Sequence, residues 1–522
     1  MPSSRYPFAL SSPLAVLLDK RPEDFTRADL IRVIARRGLE RITFHYTALD
    51  GRLKELRLPV ADKAQAEAIL AEGERLDGSS IFKGMVETAA SDLYVVPLYS
   101  SAFLNPFDDR SLDFICRYYT KDGTLAPFAP DSILKRAAEL FRKNTGLELY
   151  ALGEIEFYLL SERGSDLFPT GFQKGYHNSP PFLKSGPIVN EILSRITKIN
   201  GAVKYAHGEV GCIDGVQSDL PELKGKLAEQ LEIEFAPRPI ESMADDVVLG
   251  RWLIRNIAWR NGCSVTFAPK LEDGAAGTGL HFHMELKRGG RNVMTGPDGA
   301  LSKDARLLVG GLCRHAESLT AFGNTTSSAY LRLVPHQEAP TYVCWSDLNR
   351  SAMIRVPLAW TNKRHLARSL NPRDTALYRA GEGRQTVELR TPDGSALIHL
   401  LLAGMTMSAE WALSRKDKAT RGESARALAE KLYVKGDIFA DKELLSRLAA
   451  LPSSCVGSSR ILQSERGLYE RDGMFPPSVI DYVIRLLQAE DDEFLNKSLD
   501  AMPNEERRVR MRSIMHKDIH RH

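Results

Sequence analysis

The sequence predicts an α+β protein in two parts, and three features of its pattern support this. The first 130 residues combine short helices with strand and turn signals, among them the Asp50-Gly51 dipeptide typical of a β-hairpin. From residue 131 onward, amphipathic helices alternate with strands. Several of these strands carry apolar residues on one face and carboxylates or imidazoles on the other, as expected of a sheet half buried against helices.

Length and composition are those of a large globular protein. The chain has 522 residues, of which 43% are hydrophobic, and its 70 basic and 67 acidic residues are too balanced to indicate nucleic-acid binding. No apolar run is long enough to span a bilayer, and the first 20 residues lack the basic start and cleavage site of a signal peptide. Six cysteines without a C-x-x-C pair indicate reduced thiols. We therefore expect a cytoplasmic protein with no nucleic-acid or membrane partner.

The chain is predicted to begin with an extension of little structure at residues 1–22, followed by a small α+β unit at residues 23–130. The elements expected in this unit are a helix capped by Thr26 and ended by Gly38, hairpin strands at residues 41–46 and 52–58, a helix at residues 62–73, and strands within residues 93–119.

The second part, residues 131–522, opens with an amphipathic helix capped by Asp131 or Ser132 and ended by Gly146. Strands are predicted at residues 148–160, 203–210, 231–235, 264–268, 279–286, 351–356 and 386–391. Helices are predicted at residues 187–200, 243–261, 305–321 and 396–416, and the chain from about residue 425 is predicted to be helical and polar.

The strand predicted at residues 279–286 shows the two-faced pattern most clearly. Every second residue from Leu280 to Leu286 is apolar, whereas the opposite face carries His281 and His283. Histidines are good ligands for metals and donors to phosphates. Because two residues of strand separate them by roughly 6–7 Å, we expect one to bind a metal and the other to donate to a phosphate.

Other predicted strands repeat this pattern with charged residues on the polar face: Glu154 with Glu156, Glu232 with Glu234, Glu388 with Arg390, and Glu209 at a strand end. Two carboxylates on one strand face repel each other unless a positive charge lies nearby. Strands curved into one sheet would gather five or six carboxylates and a histidine at one site. Hard oxygen ligands with a single imidazole suit magnesium or manganese better than structural zinc.

The second half of the chain adds arginines among these motifs: Arg332, Arg350, Arg355, Arg384 and Arg390. A single arginine is most often a surface ion pair. Five arginines interleaved with a carboxylate and imidazole pattern indicate bidentate binding of carboxylate or phosphate groups.

In this order, the motifs from about residue 41 to residue 409 resemble those of the glutamine synthetase superfamily. Leu76-Asp77-Gly78-Ser79-Ser80 resembles the family's F-D-G-S-S, and Gly277 to His283 resembles its G-x-G-x-H-x-H. Further matches are E-x-E-F at residues 154–157, G-Y-x-x-x-P-P at 175–181, H-x-E-V at 207–210, Q-x-E at 230–232, R-L-V-P-x-x-E-A-P at 332–340, and the segments 349–351, 354–357 and 388–393.

The resemblance implies a small N-terminal β-grasp-like domain at residues 23–130 and a large catalytic domain at residues 131–522. The catalytic domain would have a curved antiparallel sheet flanked by helices and a helical C-terminal part. The implied activity is ATP-dependent ligation of ammonia or an amine to the γ-carboxylate of glutamate through an acyl phosphate. The implied cofactors are two Mg²⁺ or Mn²⁺ ions per site, with ATP as co-substrate. The implied assembly is a homo-oligomer of stacked rings whose neighbouring subunits share active sites.

The resemblance also implies roles for individual residues. One metal would be held by Glu156, Glu209 and Glu232, and the other by Glu154, His281 and Glu388. The nucleotide phosphates would contact His283, Arg350 and Arg355, with Arg350 also catalytic, and the amino-acid substrate would contact Gly277, Arg332 and Arg390. The amine site would combine Asp77, as catalytic proton acceptor, with Ser80, Tyr176 and Glu209. Glu338 would lie on a flap that shields the intermediate.

Several positions depart from the family pattern. Ala276 replaces a usual asparagine, Glu285 replaces a serine, and the segment between Glu209 and Glu232 is longer than usual. A γ-glutamyl-amine ligase that uses a polyamine or another amine is therefore an alternative, as is a non-catalytic, ring-forming paralogue. A guanidino kinase, which shares a related sheet, is disfavoured because it offers no role for the motif that includes Asp77.

Overall fold

The computed structural model describes residues 8–164, 167–334, 339–359, 366–375, 383–414, 421–436 and 438–521. The N-terminal unit contains helices α1 (Pro13–Leu18), α2 (Arg27–Arg37), α3 (Lys63–Glu72) and α4 (Gly78–Ile81), and strands β1 (Arg41–Thr47), β2 (Leu53–Pro59), β3 (Glu74–Asp77), β4 (Asp92–Pro97), β5 (Phe103–Leu104) and β6 (Ser111–Tyr119). Within the described residues these strands form one sheet in the order β2-β1-β6-β4-β3, with β5 beside β6. The central β1–β6 pair is parallel, and the other pairs are antiparallel.

The start of the chain is more structured than the sequence predicted. The predicted extension contains α1, which begins after Ser12 because the Ser12 hydroxyl accepts a hydrogen bond from the Ala15 amide. Leu14 is buried in the core of the N-terminal unit. Helix α2 begins and ends as predicted, with a capping box between Thr26 and Asp29.

The second part contains helices α5 (Pro130–Thr145), α6 (Gly186–Asn200), α7 (Ile240–Arg260), α8 (Lys303–Arg314), α9 (Ala316–Gly323), α10 (Ala329–Arg332), α11 (Leu366–Leu370), α12 (Ile398–Leu413), α13 (Glu423–Lys431), α14 (Lys442–Arg447), α15 (Cys455–Glu470), α16 (Pro477–Gln488), α17 (Leu495–Asp500) and α18 (Asn504–Lys517). Its strands are β7 (Glu148–Ser161), β8 (Val203–Asp214), β9 (Leu227–Phe235), β10 (Arg238–Pro239), β11 (Ser264–Thr266), β12 (Leu280–Arg288), β13 (Arg291–Asn292), β14 (Trp345–Asp347), β15 (Ile354–Val356) and β16 (Val387–Leu389). None of the described helices is long and apolar enough to cross a membrane.

The strands of the second part form one sheet, whose order among the described residues is β14-β15-β16-β12-β7-β9-β8. Its pairs are antiparallel, except for the parallel pair of β14 and β15. The apolar side chains of β7, β9 and β12 join one core with helices such as α5, α7 and α12. An α+β fold with a curved, mainly antiparallel catalytic sheet is therefore confirmed.

Two helix predictions in this part need correction. Helix α5 begins at Pro130, a favourable first helical position, and has no side-chain cap because its N-cap residue, Ala129, has no acceptor atom in its side chain. Asp131 is instead buried, with its carboxylate 3.5 Å from the Arg117 guanidinium. The single helix predicted at residues 305–321 is two helices, α8 and α9, separated at His315, whose φ and ψ are −113° and 15°.

The two units are joined by a half-buried ionic contact. Arg117 of β6 donates hydrogen bonds to the Asp245 carboxylate of α7, and His399 of α12 lies 3.2 Å from the same carboxylate. Both helices also pack against the catalytic sheet core. The contact therefore ties the small unit to helices that pack against the catalytic sheet.

Candidate active site

A cavity of about 1490 Å³ lies over the polar face of the catalytic sheet. Most of the predicted site residues line it: Glu154, Glu156, Tyr176, Glu209, Glu232, Gly277, His281, His283, Arg332, Arg350, Arg355, Glu388 and Arg390. Asp77 and Ser80 do not line it, and Glu338 lies outside the described residues.

The pairing of β12 with β7 brings together the first group of candidate metal ligands. His281 lies directly opposite Glu154. The Glu154 carboxylate is 3.1 Å from His281 Nδ1 and 2.9 Å from His283 Nε2, so it lies between the two imidazoles. The sequence separated the roles of these histidines, but the structure brings both to one carboxylate. His283 Nδ1 is in turn 3.0 Å from the Thr386 hydroxyl.

Glu388 completes this group from β16, on the other side of β12. It lies opposite His283, and its carboxylate is 3.7 Å from His281 Nδ1. It accepts hydrogen bonds from Arg355 at 2.8 Å and from Arg390 at 2.9 Å. Possible ligand atoms of Glu154, His281 and Glu388 all lie within 4.8 Å of one another. These three residues are one of the two metal-binding sets that the family resemblance implied.

A second group lies on β8 and β9. Glu232 is opposite both Glu156 of β7 and His207 of β8, and its carboxylate is 3.2 Å from His207 Nε2. Possible ligand atoms of His207, Glu209 and Glu232 lie within 4.8 Å of one another. The family resemblance implied a metal held by Glu156, Glu209 and Glu232. Two of these residues, Glu209 and Glu232, are in this group, together with His207, to which the sequence assigned no role.

The third expected residue of that set, Glu156, is fixed beside the group by its hydrogen bonds. Its carboxylate accepts from the Gln230 side chain at 2.9 Å and from the Gly279 amide at 2.8 Å. A side chain on Gly279 would bring its Cβ within 2.3 Å of His281 Nε2, so glycine is required for the strand to approach the ligands. The glycines of the G-x-G-x-H-x-H motif thus have a packing role.

The carboxylates perturb one another strongly. Burial, together with the charge of Glu156, raises the pKa of Glu209 to about 7. Burial and the charge of Glu154 raise the pKa of Glu232 to about 8. Glu154 shows the reverse shift: against the effect of its own burial, the positive charge of His283 and hydrogen bonds from both imidazoles hold its pKa well below its usual value. Crowded, buried carboxylates of this kind are stabilised in their charged form by a divalent cation.

Arginines surround these groups. Arg332 is buried and donates to the Thr391 carbonyl at 2.9 Å, and its other terminal nitrogen is 3.3 Å from His281 Nε2. Arg390 Nη1 and Arg355 Nε are buried and have no hydrogen-bond partner among the described residues, so each can serve an anionic ligand. Arg350 lines the cavity near Glu209, and its charge lowers the pKa of that carboxylate, in opposition to burial.

The segment around Tyr176 lies on the edge of β8. The Gly175 amide donates to the Val210 carbonyl at 3.1 Å, and the His177 amide donates to the Gly208 carbonyl at 2.9 Å. A Cβ on Gly175 would lie 2.5 Å from the Glu209 carbonyl oxygen, so glycine allows this close approach. Tyr176 is thereby placed at the cavity, next to Glu209.

Asp77 and Ser80 lie on the N-terminal unit, at the start of α4. The Asp77 carboxylate accepts hydrogen bonds from the Ser79 and Ser80 hydroxyls at 2.6 and 2.5 Å. These bonds lower the pKa of Asp77 to about 2, so the carboxylate is charged near neutral pH. The exposed carboxylate does not reach the cavity of its own chain.

Several residues near the cavity had no role predicted from the sequence: His207, Glu234 and Gln230. The period-two pattern shows which strand face each of them occupies. The pairing of β9 with β7 and β8 decides which residues they contact. Ala276, at the departure from the family pattern, donates its amide to the Gln173 side chain at 2.6 Å. Glu285 accepts from Asn292 at 2.7 Å and lies in the same cavity.

A β-grasp unit joined to a curved sheet with these carboxylate, imidazole and arginine side chains is the architecture of a carboxylate–amine ligase. Residues 128–499 match the model of the glutamine synthetase catalytic domain, and residues 38–121 match that of its β-grasp domain. The chain belongs to the glutamine synthetase family.

A sequence relative agrees with this assignment, and solved structures share the fold. The chain is 31% identical to the glutamine synthetase of Thermotoga maritima over 382 residues, which cover 72% of this chain and 77% of the relative. Among solved structures, a cryoEM structure of Plasmodium falciparum glutamine synthetase is similar with a TM-score of 0.71 at 19% identity, covering 90% of this chain and 97% of the other. A GmaS/ADP complex is similar with a TM-score of 0.69 at 20% identity, covering 92% and 98%.

Proposed function

We propose that this chain uses ATP to join ammonia or an amine to the γ-carboxylate of glutamate through an acyl phosphate. The observation that carries the proposal is the convergence of two carboxylate–imidazole groups and several arginines in one cavity of a glutamine synthetase family chain. All six proposed metal ligands line that cavity, which favours an enzyme over a non-catalytic paralogue.

The donor set fits two hard divalent cations, Mg²⁺ or Mn²⁺. Glu154, His281 and Glu388 would hold one ion. The other would be held by Glu156, Glu209 and Glu232, of which Glu209 and Glu232 have pKa values raised by burial and by the charge of neighbouring carboxylates. When bound, the ions neutralise phosphate charge and align the transferred phosphoryl group.

The arginines and His283 would bind the two anionic substrates. The buried Nη1 of Arg390, which has no partner in the part of the chain that the structure describes, can bind a carboxylate of the amino acid, next to Arg332 and Gly277. His283, Arg350 and Arg355 would contact the nucleotide phosphates, with Arg350 stabilising the transferred group. A carboxylate is a poor electrophile, and phosphorylation provides the leaving group that the amine displaces.

The amine would be bound where a second subunit meets the cavity, in a ring-shaped homo-oligomer. Tyr176 and Glu209 line the cavity, whereas Asp77 and Ser80 are exposed on the N-terminal unit of the same chain and outside it. A neighbouring subunit would supply the charged Asp77 carboxylate, which binds the ammonium and accepts its proton. Glu338 would lie on a flap that keeps water from the acyl phosphate.

The test is turnover of the purified protein with ATP, glutamate, ammonium, and Mg²⁺ or Mn²⁺. We expect phosphate release that requires glutamate, a nitrogen donor and the cation, with γ-glutamyl amide detected by mass spectrometry. The Glu388→Ala variant should lose this activity. Glu222 lies in the segment between Glu209 and Glu232 and bonds to His520, so the Glu222→Ala variant should retain the activity. Phosphate release that does not depend on any carboxylic acid would contradict the proposal.

A further inference from the structure

A cluster of four rings forms one wall of the cavity, and we call it the ring wall. The His177 ring centroid lies 4.3 Å from those of Tyr176 and His207, and the Tyr205 centroid lies 5.6 Å from that of His207. All four residues line the cavity, and Tyr176 and Tyr205 are 46% and 42% exposed. Ring faces are therefore available to a ligand. The metal and phosphate chemistry proposed above does not require such a surface.

The ring wall continues directly from the proposed amine site. Tyr205 and His207 alternate along β8, and Glu209 follows where the strand register becomes irregular; all three line the cavity. The backbone bonds of residues 175–177 to β8 place Tyr176 and His177 against this row. A ligand whose nitrogen lies at Glu209 would have its remaining atoms within reach of the rings.

The chemistry of the wall separates organic amines from ammonia. An ammonium ion needs only acceptors and carboxylates, whereas an organic ammonium also has carbon surface that packs on rings, and its charge is attracted to ring faces. We infer that the nitrogen donor is a primary organic ammonium whose carbon substituent packs against the ring wall. This inference rests on the proposed ligase function and specifies its substrate.

A lysine at the far end of the wall specifies the substituent further. Lys204 Nζ lies 5.0 Å from the Tyr205 ring centroid and forms an ion pair with Glu234. The cation position at this end is therefore already occupied, and a second positive charge on the ligand would meet Lys204. The substituent is accordingly an uncharged alkyl or hydroxyalkyl group rather than the ammonium-bearing chain of a diamine.

The covalent step follows from the acyl phosphate. The ammonium loses one proton, and the nitrogen lone pair attacks the acyl carbon. The bond from that carbon to the phosphate oxygen breaks, and phosphate leaves with the bonding electron pair. The nitrogen then loses a second proton, which leaves a neutral N-substituted γ-glutamyl amide.

The experiment compares nitrogen donors with the full-length protein, ATP, glutamate and Mg²⁺. Ammonium, methylammonium, ethylammonium, ethanolammonium and 1,4-diaminobutane are each titrated, with phosphate release and product mass as readouts. We expect kcat/KM for at least one of the monoamines to exceed that for ammonium and for the diamine by tenfold or more. A highest kcat/KM for ammonium or for the diamine would overturn the inference.

Hydroxylamine separates this inference from the function on which it rests, because it traps an acyl phosphate as γ-glutamyl hydroxamate without needing the ring wall. Hydroxamate formation with no preference for organic monoamines would overturn the inference and leave the ligase function standing. Absence of hydroxamate and of amide with every donor would overturn both.

Variants test the wall itself. His177 has a φ of 53°, which asparagine tolerates, so His177→Asn removes the ring with little backbone strain. It should lower the ratio of kcat/KM for ethylammonium to that for ammonium by about twofold to fivefold. Lys204→Ala should raise the ratio of kcat/KM for the diamine to that for the monoamine. Phe172→Ala, an exposed ring on the same segment but outside the cavity, is the matched control and should leave both ratios unchanged. Wild-type ratios in His177→Asn would contradict the inference.

Discussion

Binding of Mn²⁺ should displace protons from the carboxylates on β8 and β9. Because the pKa values of Glu209 and Glu232 are raised to about 7 and about 8, a large share of both side chains is protonated at pH 7 in the metal-free protein. A carboxylate must lose its proton to bind a cation. Loading this site at pH 7 should therefore release at least one proton per cation.

The sign of the pH dependence follows from the raised pKa values. Protons compete with the cation most strongly below pH 7, so the affinity for Mn²⁺ should rise between pH 6 and pH 8, by about tenfold per pH unit for each proton displaced. Of the two carboxyl groups, that of Glu232 has the higher pKa and binds its proton more tightly, and Glu232→Gln removes it. This variant should release about one proton fewer at pH 7 and bind Mn²⁺ more weakly.

Isothermal titration of the metal-free protein with MnCl₂, in two buffers of different ionisation enthalpy, measures the released protons directly. Glu222→Gln is a suitable control, because Glu222 bonds to His520 and lies outside the cavity. A binding heat independent of the buffer at pH 7, or an affinity that does not change between pH 6 and pH 8, would refute this reasoning.

Three further predictions concern activity and assembly. Glu156→Ala should abolish cation-dependent phosphate release but leave the mass of the assembly unchanged by light scattering, and full activity would remove Glu156 from the metal site. Mixing Asp77→Ala with Glu388→Ala subunits should restore part of the activity if neighbouring subunits share a site, and confirmed mixed assemblies without activity would argue against sharing. Gly175→Ala should lower kcat/KM for the nitrogen donor at least tenfold, because the new Cβ would lie 2.5 Å from the Glu209 carbonyl oxygen and displace the Tyr176 segment. The KM for ATP should change little. An unchanged kcat/KM for the nitrogen donor would contradict a role of this segment in amine binding.

Local patterns in the sequence predicted much of the fold. Apolar residues at every second position of β12 face the core, and His281 and His283 face the cavity, because side chains alternate across any strand. The motif order also identified the family, which the domain matches confirm. The predicted domain boundaries and residue roles stay predictions.

Features that depend on distant contacts were missed. The packing of Leu14 into the N-terminal core stabilises α1 in a segment with little local signal. The break at His315 accompanies a contact of its imidazole with Glu465, 3.3 Å away on α15. Neither partner is close in sequence, so local propensity could not reveal them.

The sequence by itself determined which residue types lie on each strand face, because the period of a strand is a local property of the backbone. Only the tertiary structure decided which faces meet. The strand order β16-β12-β7-β9-β8 brings Glu388, His281, Glu154 and Glu232 to one cavity, and the approach of residues 175–177 to β8 adds the ring wall. The same tertiary structure leaves Asp77 outside that cavity. These relations depend on strand pairing and burial between segments far apart in the chain, and a local pattern carries no information about such pairing.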